Sequence, residues 1–328
     1  MHIPAHAPFG WPMAPMKSTA TRSRGWNCAN TKPSRSIAMS APTKIGFVGL
    51  GQMGEPMASF IAKGDTPLVC YDCMPGHAPS GAIEAADLSE VVAQSDTIFL
   101  SLPDGKIVNA VAAEIAAMED VAGKVIIDMS TIGPAAAKEA AAALAAAGMT
   151  FIDAPVSGGR QGALKAAITI IWAGPKAQME RHRHIIDLFC ANAFHVGDQA
   201  GQGQAVKLLN NFLSATAMAA SSEAVLFGLA HGVEMKTILD VVKVSTGNNT
   251  AIEDKFPRRI LTGTYDAGFF AELLNKDVRL YNQFVQEAGT SNQMGTRVAE
   301  IWQQVEDALP PQSDFTRVFE VLEKRTGS

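Results

Sequence analysis

The sequence predicts a doubly wound α/β sheet followed by an all-helical domain. Short apolar, β-rich runs alternate with helical segments from residue 44 to about residue 197. A glycine turn of spacing G-x-G-x-x-G joins the first strand to the first helix. Beyond Gly201 every periodic segment reads as helix. A chain of 328 residues corresponds to two domains at roughly 100–200 residues each. The expected division is a sheet domain over 43–199 and a helical domain over 200–328, preceded by an extension over 1–42.

Each element has its own signal. Residues 44–50 (KIGFVGL) form a buried strand, and a helical pattern runs from Met53 to about Lys63. A second strand, 67–72 (PLVCYD), precedes a helix near Leu88–Gln94. Strands follow at 97–103 and 124–130, separated by a helix that ends near Met118. Residues 134–147 are almost all alanine, the strongest helix former. Strands at 149–155, 168–174 and 193–197 complete the sheet, with a helix ending near Phe189 between the last two. Alternation of this kind implies a parallel sheet with helices on both faces. Helices are then expected near 203–231, 234–245, 270–288, 291–307 and 313–324.

Composition narrows the function. Apolar residues make up 47% of the chain and charged residues 18%, enough for a full core and too few charges for global disorder. A net charge of −5 disfavours nucleic acid and anionic membranes as partners. No stretch approaches ~18 consecutive apolar residues, so no membrane span is expected. Residues 1–44 hold six basic residues and none of the 32 acidic ones. The extension therefore reads either as an organelle transit peptide or as a misassigned start upstream of Met39. The alanine-rich body fits a GC-rich bacterial gene and favours the second reading, hence a cytoplasmic location; an organelle matrix follows from the first. Cys28, Cys70, Cys73 and Cys190 are too few for a disulfide framework. Cys70 and Cys73 form C-x-x-C, but at a strand end, where a small buried apolar residue is the simpler reading. The histidines give no metal site: His182 and His184 face different directions on one helix, while His195 and His231 stand alone.

The glycine turn is Gly49-Leu50-Gly51-Gln52-Met53-Gly54. The first glycine makes the tight turn, the second admits a pyrophosphate to the backbone, and the third lets helix and strand pack closely. This is the fingerprint of a Rossmann-type dinucleotide-binding sheet. Asp72 lies 23 residues after Gly49 at the end of the second strand, placed to accept the ribose 2′-OH and repel a 2′-phosphate. NAD is thus expected in preference to NADP. Leu102, Pro103 and Thr131 end two other strands and are expected to line the nicotinamide and its ribose, although turn residues are also common there. Ser157, Gly158 and Gly159 follow a strand with backbone N–H groups free to face a carboxylate. Lys207 and Asn211, four apart on one helix, share a face and can reach one ligand. Apolar neighbours (Ala205, Val206, Leu208, Leu209) suit a lysine with a lowered pKa that takes a hydroxyl proton as hydride leaves carbon.

Four segments in order, GFVGLGQMGEPMA (46–58), DAPVSGG (153–159), GQGQAVKLLNN (201–211) and NKDVRL (275–280), resemble the signatures of the β-hydroxyacid dehydrogenase family over nearly all of residues 44–324. The resemblance implies a nicotinamide-dependent enzyme interconverting a short β-hydroxy acid and its semialdehyde, as in 3-hydroxyisobutyrate dehydrogenase or tartronate semialdehyde reductase. It assigns the catalytic role to Lys207 and substrate binding to Ser157, Gly158, Gly159 and Asn211. It has Lys276 reach the cofactor side from the second domain, and it implies homo-oligomers, dimeric or tetrameric. Two departures stand out. Relatives often read G-T-L-T where this chain has Ala166-Ala167-Ile168-Thr169, and Arg160 follows Gly159, where it can bind a second anionic group. Three alternatives are an imine reductase, which usually lacks the lysine, a 6-phosphogluconate dehydrogenase-like enzyme, which has a longer helical domain, and a non-catalytic binding protein, expected to have lost Lys207.

Overall fold

Strand β1 (Ile45–Val48) is buried along its whole length, as an apolar run covered on both faces must be. It belongs to a computed structural model that describes residues 44–326; the extension expected over 1–42 lies outside the described residues. Helix α1 (Gly54–Ile61) and strands β2 (Leu68–Tyr71) and β3 (Ile83–Glu84) follow. Next come α2 (Leu88–Gln94), β4 (Thr97–Leu100), α3 (Gly105–Ala116), β5 (Val125–Asp128), α4 (Pro134–Ala146) and β6 (Thr150–Asp153). The sheet part ends with β7 (Val156–Ser157), α5 (Gly159–Ala163), β8 (Ile168–Ala173), α6 (Lys176–Ile186) and β9 (Cys190–Gly197).

The strand order is β3-β2-β1-β4-β5-β6-β8-β7, with β9 on β8. β1 to β6 are parallel. The expected all-parallel sheet needs correction at β8, which runs antiparallel to β6 and β7. The reason is length: residues 158–167 between β7 and β8 hold only the short α5, and a parallel crossover needs a dozen residues or more. The order reverses between β1 and β4, so the ligand crevice lies beyond their carboxyl ends, at Gly49 and at Ser101-Leu102. One sheet face buries Phe47, Phe99, Met57 and Trp172, and the other buries Val48, Leu100, Ile126 and Leu144.

The remainder is helical: α7 (Gln202–Ala230), α8 (Met235–Lys243), a π-helix over Ala251–Ile260 that sequence periodicity did not reveal, α9 (Ala271–Glu287), α10 (Gln293–Ala308) and α11 (Val318–Thr326). It has its own core of Met218, Phe256, Trp302 and Phe315, and the Trp302 indole N–H donates to the Ala215 carbonyl at 3.2 Å, tying α10 to α7. The sheet and the helices lie within one compact unit. Among the described residues α7 is the one helix long and apolar enough to cross a membrane by length and composition. Its polar residues Gln204, Lys207, Asn211, Ser221 and Ser222 are buried against the protein.

Between α5 and β8 the departure at Ala166 has a backbone consequence. Ala166 adopts φ +51°, the left-handed region. The Ala167 N–H donates to the Gly162 carbonyl and the Ala166 N–H to the Ala163 carbonyl, so Ala166 occupies the C′ position of a Schellman cap, where glycine is the unstrained choice.

Candidate active site

The three glycines of the first turn do different things. Gly49 has φ +94°, and a Cβ there would meet the Ser101 carbonyl oxygen at 2.3 Å. A Cβ on Gly54 would meet the Gly49 oxygen at 1.9 Å, so the helix closes directly on the turn. A Cβ on Gly51 would meet nothing within 4 Å, leaving open space at the mouth of the turn. Met53, the α1 N-cap, makes no side-chain cap. The Glu55 N–H donates to the Gly51 carbonyl at 3.1 Å and Pro56 has no N–H, so the Gly54 N–H and the positive end of the helix are what the first turn offers an anion. These features fit a dinucleotide pyrophosphate. Gln52 is exposed at the same mouth, whereas Leu50 turns its side chain into the core.

Asp72 ties the turn to β2. Its Oδ2 accepts from the Leu50 N–H at 2.6 Å and its Oδ1 from the Met74 N–H at 2.9 Å. It therefore caps a turn, and a carboxylate with about four lone-pair sites keeps room for a ribose hydroxyl. It borders a cleft of about 430 Å³ lined also by Tyr71, Cys73, Glu84 and Glu90, an acidic wall unfavourable to a further phosphate. The C-x-x-C is not a redox pair: burial pushes the Cys70 thiol up to about 12, keeping it protonated, while Cys73 is exposed.

At the ends of β4 and β5, the Leu102 N–H donates to Ser130 Oγ at 2.8 Å. Lys276 on α9 reaches across from the helical side: its Nζ donates to the Thr131 carbonyl at 2.9 Å and the Pro103 carbonyl at 3.3 Å. Thus Leu102, Pro103, Thr131 and Lys276 come together beyond the carboxyl ends of β4 and β5.

Lys207 is 8% exposed on α7, and its Nζ donates to Asn211 Oδ1 at 3.1 Å. Burial pushes its pKa down; the nearby Asp277 carboxylate opposes this and the Lys276 ammonium adds to it. An ammonium has three donors, and this bond engages one. Asn211 Nδ2 donates to Asp277 Oδ2 at 2.6 Å, and Asp277 Oδ1 lies 3.4 Å from Lys276 Nζ. A buried polar chain therefore runs from Lys207 through Asn211 and Asp277 to Lys276. On the other flank Asn210 Nδ2 donates to Ser157 Oγ at 3.4 Å and to Asn211 Oδ1 at 3.2 Å, joining the predicted substrate loop to the lysine. Gly158 and Gly159 have φ +133° and +60°, conformations that favour glycine. Ser157 ends β7, Gly158 is the N-cap of α5 and Gly159 begins that helix.

Sequence reading missed Asn210, Gln204 and two buried acids, Asp128 and Asp153. Gln204 sits three residues before Lys207, a spacing that places both on one helix face. Asp128 and Asp153 end neighbouring strands in register. Three histidines have structural partners: His182 lies between Thr97 Oγ1 (2.8 Å) and the Gln178 carbonyl (2.7 Å), and His195 and His231 bond backbone carbonyls. No His, Cys, Asp and Glu grouping among the described residues is suited to a metal.

Comparison with known proteins gives two family matches. Residues 44–197 match the NAD binding domain of 6-phosphogluconate dehydrogenase, and residues 201–322 match the family described as NAD-binding of NADP-dependent 3-hydroxyisobutyrate dehydrogenase. The chain is 32% identical to 2-(hydroxymethyl)glutarate dehydrogenase of Eubacterium barkeri, over 88% of this chain and 98% of that one. It is 34% identical to 3-hydroxyisobutyrate dehydrogenase of Pseudomonas aeruginosa, over 77% and 89%. Among solved structures, Mycobacterium tuberculosis 3-hydroxyisobutyrate dehydrogenase with L-serine superposes with TM-score 0.78 at 28% identity, covering 86% of this chain and 99% of that one.

Proposed function

The chain belongs to the β-hydroxyacid dehydrogenase family, and we propose that it interconverts a short-chain β-hydroxy acid and its semialdehyde with Lys207 as the proton-transfer residue. It is a nicotinamide-dependent oxidoreductase of hydroxy acids, and its glycine turn, Asp72 and the β4 and β5 ends are the residues that would hold NAD. The bound nicotinamide supplies hydride acceptance and donation; the chain's own part is to bind, orient and move a proton. In oxidation the substrate O–H bond breaks as the carbonyl forms, and the proton passes to neutral Lys207 Nζ. In reduction the ammonium polarises the carbonyl and returns that proton. Asn211 orients the Lys207 amine, and Ser157 with the Gly158-Gly159 backbone receives the substrate carboxylate. The single observation behind this reading is a buried lysine whose one hydrogen bond leaves its remaining donors for a ligand.

A second reading of the substrate rests on Arg160. It follows the Ser157–Gly159 segment, is exposed, and its guanidinium makes no hydrogen bond or ion pair among the described residues. A free guanidinium there suits a hydroxy acid with a second acidic group, and one relative is named for a glutarate, a dicarboxylate. Self-association belongs to the same proposal: on α7, Leu213 is 60% and Phe227 68% exposed, apolar area that a second copy would cover.

The test is NADH formation and loss against 3-hydroxyisobutyrate, glycerate, serine, 4-hydroxybutyrate, threonate, tartronate semialdehyde, 2-(hydroxymethyl)glutarate and a sulfonated hydroxy acid. Turnover of at least one acid is expected. Turnover of none, with NADH demonstrably bound, would overturn the reading and favour a different carbonyl or imine substrate.

A further inference from the structure

We propose that Gln204 is a positioning residue that locks the helix carrying Lys207 to the segment closing the cofactor crevice. The proposal rests on the proton-transfer reading of Lys207. Gln204 is fully buried on the first turn of α7. Its Oε1 accepts from the N–H groups of Ile132 (2.9 Å) and Gly133 (3.1 Å). Its Nε2 donates to the Ser130 carbonyl at 3.0 Å and to Asp153 Oδ1 at 2.8 Å. All four bonds of the amide are made, and their pattern fixes its orientation, since two N–H donors face the oxygen and two acceptors face the nitrogen.

The residues so held are those that frame the site. Ser130 Oγ receives the Leu102 N–H, and the Thr131 carbonyl receives Lys276. One side chain thus connects the β5 end, and through it the β4 end and α9, to the helix turn that precedes Lys207. A fully satisfied buried network of this kind imposes one geometry. A hydride donor and a proton carrier must be in register at one carbon, and small misplacement is costly in rate.

Glutamine is the required amide here. A glutamate would set a second carboxylate against Asp153 and a carbonyl, beside the buried Asp128. Helix docking does not depend on the side chain. A Cβ on Gly203 would lie 2.9 Å from the Asp153 and Ile171 carbonyl oxygens, so the helix end packs on the sheet through its backbone. Asp153 Oδ2 caps it independently, accepting from the N–H groups of Gly201 (2.8 Å) and Gln204 (3.1 Å). Removing the Gln204 amide should leave α7 in place and free the Ser130–Gly133 segment.

The experiment uses the full chain and Gln204→Met, which conserves volume, with Gln204→Ala as the second variant. Hydrogen exchange reads the Ile132 and Gly133 amides, and single-turnover NADH absorbance with the best acid of the panel reads amplitude and rate separately. The expected result is at least ~10-fold faster exchange at both amides and a hydride-transfer rate lowered about 10–100-fold at full amplitude, in line with catalytic misplacement. A merely structural role lowers the amplitude and keeps the rate. Wild-type exchange at both amides, or a wild-type rate at any amplitude, overturns the proposal. Failure of Lys207 itself is read separately, as turnover in Lys207→Met.

Discussion

Asn211 Nδ2 donates to Asp277 Oδ2 at 2.6 Å, joining the helix that carries Lys207 to the helix that carries Lys276. Because Asn211 Oδ1 accepts from Lys207, the charge of Asp277 and that of Lys276 both bear on the lysine amine, with opposite sign.

That opposition predicts paired shifts in the pH profile of oxidation, which needs neutral Lys207. Lys276→Met removes a cation that disfavours the ammonium, so the Lys207 pKa rises and the ascending limb of kcat/KM moves to higher pH. Asp277→Asn removes the anion that favours the ammonium, so the limb moves to lower pH. Shifts in the same direction would contradict the arrangement.

Ala166 in its left-handed cap predicts a stabilising substitution. Ala166→Gly relieves strain of about 1–2 kcal/mol and returns some of it as chain entropy. The net expectation is ~1 kcal/mol of added stability, about 2 °C in Tm, read by calorimetry. A lower Tm would show that the backbone strain is absent.

Asp128 predicts a stability change with pH. Burial pushes its carboxyl up to about 7, against about 3.9 in the unfolded chain. Between these values the unfolded chain has lost the proton and the folded protein retains it, so the stability contribution falls as pH rises and is flat above the folded value. Asp128→Asn lacks this loss. Its stability relative to wild type should grow by about 3 kcal/mol at most from pH 5 to pH 8, seen as diverging urea midpoints. Parallel midpoints would rule this out.

Asp72 predicts cofactor choice. Asp72→Ser should raise tolerance of NADPH, read as the NADPH to NADH ratio of kcat/KM, while Glu84 and Glu90 in the same cleft keep NADH preferred. An unchanged ratio would remove Asp72 from the ribose site.

The sheet and most helices were legible because their signals are local: β1 and β4 are uninterrupted apolar runs, and α4 is nearly all alanine. The antiparallel β8 was not, since strand direction follows from what the connection can span and periodicity is blind to it. The π-helix at Ala251–Ile260 escaped because its i→i+5 register lacks the 3.6-residue period of an α-helix, and Pro257 lies inside it. In the site, Gly49, Gly51, Gly54, Asp72 and Lys207 stood out because spacing on one strand or helix defines them. Gln204 and Asp153 meet only through tertiary folding, 51 positions apart in the chain, and no local pattern announces the pair.

The most direct measurement is turnover by Lys207→Met alongside NADH binding by fluorescence titration. The account predicts kcat lowered ~10²-fold or more, as for loss of a proton-transfer group, with NADH affinity within about threefold of wild type. A variant that binds NADH and keeps more than about a tenth of the wild-type rate would contradict it.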